Sequence, residues 1–79
     1  MTLADDIAMS ARHVRLGERH LTRQHQLIAQ LDHDGHSTVD AIEFLHLLEE
    51  VQMLHRVHLS RLQRKACGEK FQAPAPSRE

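Results

Sequence analysis

Asp32-His33-Asp34-Gly35-His36-Ser37-Thr38 separates two long stretches of helical periodicity, and its reading decides how the chain is folded. Gly35 suits the left-handed residue that closes a helix, Ser37 or Thr38 suits the cap of the next one, and Asp40 falls in that helix's first turn, where the dipole favours an acid. So short a connection turns the chain back on itself. The expected fold is all-α, an antiparallel two-helix hairpin with helix 1 over about 4–33, a turn over 34–37 and helix 2 over about 38–66.

Working outward from the turn, Ile7, Val14, Leu21 and Ile28 recur every seven residues, and Ser10, Gly17, Gln24 and Leu31 follow each of them by three. The second column is small or polar, so Gly17 is expected to mark a close approach of the other helix, against a helix-propensity cost of roughly 1 kcal/mol. In the second half Ala41, Leu45, Leu48, Gln52, His55, Leu59 and Leu62 alternate spacings of four and three, and Phe44, Val51 and His58 widen the stripe. Gly68 is expected to stop helix 2. Residues 68–79, with Pro74 and Pro76 among small and polar residues, read as a disordered tail.

A chain of 79 residues makes one domain and buries only about 60% of its unfolded surface, so its core is thin. With Phe44 and Phe71 as its aromatics, the apolar material is the aliphatic vocabulary of helix packing. A hairpin alone leaves one side of each stripe wet, and a second copy closing a four-helix bundle about a two-fold axis covers it most simply. Val14, Leu21, Ile28, Leu31, Leu45, Leu48, His55 and Leu59 are the expected core and dimer seam.

Formal charge is -1, which argues against nucleic acid or an anionic membrane as the main partner. Folding about residue 36 would bring Arg23 near Glu49 and Glu50, and Asp5 and Asp6 toward Arg64 and Lys65. Arg12, Arg15, Arg56 and Arg61 would then form a basic zone without an acidic partner, a weaker candidate for an acidic ligand. Cys67 is alone and forms no intrachain disulfide, no apolar stretch follows a basic N-terminus, and no run approaches the roughly 18 apolar residues of a membrane span. A cytoplasmic protein is expected.

The turn also has the spacing of a calcium loop, with Asp32, Asp34, His36, Thr38, Asp40 and Glu43 at its first, third, fifth, seventh, ninth and twelfth positions. Against calcium, His36 stands where a carboxylate or amide oxygen is usual and Ser37 replaces the glycine of the sharp turn. Eight histidines raise zinc-type chemistry, since His33 and His36, or His55 and His58, lie about one helical turn apart, but no cysteine cluster joins them. No nucleophile elbow, phosphate-binding glycine loop or activated cysteine is visible, so no enzyme and no cofactor are expected, with calcium the alternative and zinc behind it.

The stretch His13, Val14, Gly17, Glu18, Arg19, His20, Arg23, Gln24, Leu27, Ile28, Ala29, Leu31, followed by Gly35, His36, Thr38, Ala41, Leu45, His55 and Leu62, resembles a group of short proteobacterial helical-hairpin proteins of unknown function. The likeness spans roughly residues 5–65. It implies a helical bacterial protein, and turns in that group that often lack the aspartates of a calcium loop. The leading expectation is a non-enzymatic, self-associating interaction or adaptor module with an unspecified protein partner. A degenerate single EF-hand is the alternative and a weak binder of nucleic acid or another acidic partner the third.

Overall fold

The computed structural model describes the backbone of residues 2–70 and the side chains of residues 2–68. Two helices account for almost all of it: α1, Leu3–His33, and α2, Val39–Lys70, about 47 and 48 Å long at 1.5 Å per residue. Thr2 starts α1 with a reciprocal capping box. Its Oγ1 accepts from the Asp5 amide at 3.0 Å, and its own amide donates to the Asp5 carboxylate at 3.3 Å.

The far end of α1 closes in a Schellman motif. Gly35, at φ 77°, donates to the Asp32 carbonyl at 3.1 Å, and the His36 amide reaches back to the Leu31 carbonyl at 2.9 Å. The positive φ is the reason a glycine stands there. Three residues later the next helix is under way, with the Ser37 hydroxyl accepting from the Val39 amide at 3.4 Å and the Thr38 carbonyl accepting from Ile42 at 2.9 Å.

The helices pack against each other along the two heptad columns. Leu45 is the one apolar side chain buried among the described residues, at 8% exposure; Ile7, Val14, Leu21, Ile28 and Leu31 of α1 and Ala41, Leu48, His55, Leu59 and Leu62 of α2 are half-buried. The other buried seam positions are polar: Ser10, Gln24 and Gln52, the last only 2% exposed. Two glutamines cross the seam in opposite directions. The Gln24 amide donates to the Ala41 carbonyl at 2.9 Å; the Gln52 amide donates to the Val14 carbonyl at 2.8 Å and to the Glu18 carboxylate at 3.0 Å. Each such bond contributes about 0.5–1.5 kcal/mol net. It also fixes which turn of one helix meets which turn of the other.

Gly17 lies under this network. A Cβ there would overlap the Gln52 side-chain amide, so the glycine is what lets that amide lie against the α1 backbone. The close approach expected at Gly17 is present.

Three expectations are corrected. The register set by Gln52 on Val14 and Gln24 on Ala41 has its pivot near residue 33, ahead of the expected 36. Arg23 therefore lines the same surface hollow as Phe44 and Leu48, and forms no ion pair with Glu49 or Glu50. The helix α2 also passes through Gly68 to Lys70, because a glycine in open space with ordinary backbone angles costs a helix only about 1 kcal/mol and does not end it. The remainder of the expected tail, 71–79, lies outside the described residues. Finally, Phe44, Val51 and His58 do not complete the seam. All three are exposed along its edge.

Candidate functional site

The turn residues named for calcium are separated by the way the turn closes. Asp32 and His33 are still helical, Asp34 caps α1, His36 is in the connection, and Asp40 and Glu43 belong to α2, which has begun by the eighth position of the supposed loop. The Asp34 carboxylate already accepts from the Gln30 amide at 3.1 and 3.0 Å and meets the His33 ring at 3.3 Å. These bonds, Gln30's first, hold its pKa below the ordinary value. Their contribution is present above the ordinary carboxylate range and is lost as pH falls through the lowered pKa. Among the described residues no three His, Cys, Asp or Glu side chains stand close enough together to hold a metal ion. Asp32, Asp34, His36, Asp40 and Glu43 thus form a helix terminus, a short connection and the first turns of α2.

The expected basic zone is altered too. Arg56 bonds to Glu18, on the same carboxylate oxygen that accepts from Gln52. One of the four arginines without an expected acidic partner has one, which anchors the polar side of the hairpin.

The opposite side has a different chemistry. His13, Leu16 and His20 on α1 and Leu48, Val51 and His55 on α2 wall a groove of about 250 Å³, with Gly17 and Gln52 at its floor. A second hollow of about 240 Å³, lined by His20, Arg23, Gln24, Phe44 and Leu48, shares two of those residues and continues the groove toward the turn. Along α1 the stripe runs Met9, His13, Leu16, His20, Arg23, Leu27, and along α2 Phe44, Leu47, Val51, Leu54, each at spacings of three and four that keep it on one side of its helix. Phe44 is 51% exposed, Leu47 57% and Leu54 67%. Val39, Ile42, Met53 and Val57 are exposed as well, so α2 is apolar around much of its circumference.

Within the groove the rings of His13 and His55 lie 5.5 Å apart, centre to centre, tilted by 38°. His55 Nδ1 is buried and has no hydrogen-bond partner among the described residues. Sequence reasoning placed His55 in the seam but paired it with His58, which is exposed. It missed His13, whose signal is its spacing to Leu16 and His20 in a stripe beside the main seam.

No protein-family model, curated protein or solved structure matches this chain. No helix among the described residues is long and apolar enough to cross a membrane.

Proposed function

We propose that the protein is a non-catalytic helical interaction module that pairs with a second copy of itself through the stripe of Leu16, Phe44, Leu47, Val51 and Leu54, forming a four-helix bundle. One observation carries this reading: among the described residues the hairpin buries a single apolar side chain, while Leu16, Phe44, Leu47, Val51 and Leu54 all stand exposed. An exposed face of that kind on a small protein marks an interaction surface. The occupant is a second copy because of charge. Arg23 is the stripe's one permanently charged group, and the acids and bases that pair, Glu18 and Arg56, lie on the other side. Such a face offers little to a charged partner and pairs with itself without like-charge conflict.

Leu54→Glu tests the reading at a residue that the single hairpin leaves in water. If the hairpin acts alone, the change falls within the roughly 0.5 kcal/mol of an ordinary surface substitution. If the face is covered by a second copy, it costs about 2–4 kcal/mol of assembly stability by placing a carboxylate in an apolar interface. The melting temperature of the unaltered protein should then rise with protein concentration and that of the variant should fall well below it. Identical, concentration-independent melting of both would overturn the proposal.

A further inference from the structure

Each helix carries a second heptad column beside the seam. On α1 it is Met9, His13, Leu16, His20, Arg23 and Leu27, and on α2 Phe44, Leu47, Val51, Leu54 and His58, in strict alternation of three and four. At 3.6 residues per turn each column lies about 100° around its helix from the first, close to the corner angle of a square four-helix bundle. The residues flanking this column on its outer edge differ in sign. On α1 they are Arg12 and Arg19, one heptad apart, and on α2 Glu43 and Glu50, one heptad apart. All four are exposed, and among the described residues none forms an ion pair.

Given the self-association proposed above, on which this arrangement rests, we infer that the second copy docks with its turn at the same end, so that the Arg12–Arg19 edge of each copy lies along the Glu43–Glu50 edge of the other. A two-fold axis that lays one face on itself runs in the plane of that face, and near-parallel helices leave two choices, along the hairpin or across it. Across it, α1 meets α1 and α2 meets α2, which sets arginines against arginines on one edge and glutamates against glutamates on the other. Along it, α1 meets α2 of the second copy and opposite signs meet on both edges, as flanking charges do when they set partner and orientation in coiled coils.

The heights agree as well. An axis along the hairpin keeps every residue of the second copy at the level it has in its own hairpin, and the Gln52–Val14 and Gln24–Ala41 bonds fix that level. Val51, Leu54 and Leu47 of the second copy then lie opposite Leu16, His13 and His20, each to within one residue, or about 1.5 Å. Arg23, the stripe's permanent charge, comes level with Glu43 of the second copy. Arg19 stands between Glu43 and Glu50 of that copy, about 4.5–6 Å along the axis from each, which an arginine side chain spans. At the open end the signs reverse together, with Asp5 of one copy near the level of Arg64 of the other.

Two measurements test the arrangement. Cys67, the chain's single cysteine, is exposed and lies on the side of α2 away from the stripe, so a spin label there leaves the face free. The expected label separation in the dimer, by pulsed electron spin resonance, is under about 40 Å; turns at opposite ends would give about 55 Å or more, because each label lies near one end of a 32-residue helix. Sedimentation equilibrium in about 50 mM salt compares Arg19→Glu, Glu50→Arg and the double reversal. Each single change, at an exposed site, should keep helicity and raise the dissociation constant at least about tenfold, since every dimer holds the contact twice, and the double reversal should bind at least about threefold more tightly than either. Distant labels, single reversals that fail to weaken the dimer, or a double reversal no better than the singles overturn this arrangement, while a dimer mass in the unaltered protein leaves self-association standing. A monomeric mass there sinks both.

Discussion

Leu45→Asp is expected to abolish the fold, giving an unfolded circular-dichroism spectrum at 25 °C and no cooperative melt. Leu45 is the buried apolar residue of the seam, one helical turn from the Ala41 carbonyl that Gln24 holds. Truncating a buried leucine costs about 2–5 kcal/mol, and leaving a carboxylate in its place adds the cost of burying an unpaired charge. A domain of this size has about 4–10 kcal/mol of stability in all. Retained helicity and a sharp melt in the variant would mean that the helices do not pack along this seam. The expectation rests on the hairpin alone and holds for one copy or two.

Gln52→Glu should produce the second-largest loss, with a pH signature that a simple packing defect lacks. The side chain is 2% exposed, and its amide donates to both the Val14 carbonyl and the Glu18 carboxylate. Replacing the amide by a carboxylate removes the donor and sets two like charges about 3 Å apart, a change worth about 3–5 kcal/mol when a buried partner is mismatched in this way. Arg56, already on Glu18, offsets part of it from the exposed side. Burial and the neighbouring Glu18 raise the introduced group's pKa in the folded state above its unfolded value. The penalty is therefore fully present above that raised pKa and is relieved as pH falls toward the ordinary glutamate range, near 4.3. Chemical denaturation of both proteins at pH 7.5 and 5 should show the gap narrowing. A gap equal at both values, or absent at pH 7.5, would contradict the Gln52–Glu18 geometry.

Much of this fold was legible in the sequence, and the reasons are local. Gly35 has one strong reason to be where it is, a left-handed helix terminus, and the columns from Ile7 and Ala41 repeat often enough to define a face. The pairing register was less legible. Charges suggested Arg23 against Glu49, but long charged side chains on the edges follow the register that other groups impose, here Gln24 and Gln52. Those glutamines looked like polar interruptions of an apolar seam. Their value appears only when the carbonyl each one reaches is known.

The calcium likeness was a reading of spacing alone. Spacing along the chain counts Asp32, Asp34, Asp40 and Glu43 as though they lay in one loop, whereas α1 and α2 together take up all but a short connection. The candidate interaction face was half-visible. Phe44 and Val51 were assigned to the seam between the helices, and they instead border it on the side where His13, Leu16 and His20 run alongside.

Self-association is the central claim, and sedimentation equilibrium of the unaltered protein tests it most directly. At micromolar concentration and pH 7.5, without metal, the expected mass is about 18 kDa, twice the 9.1 kDa of one chain, with dissociation accompanied by loss of helicity on dilution. A stable 9.1 kDa species with full helicity over the same range would contradict it.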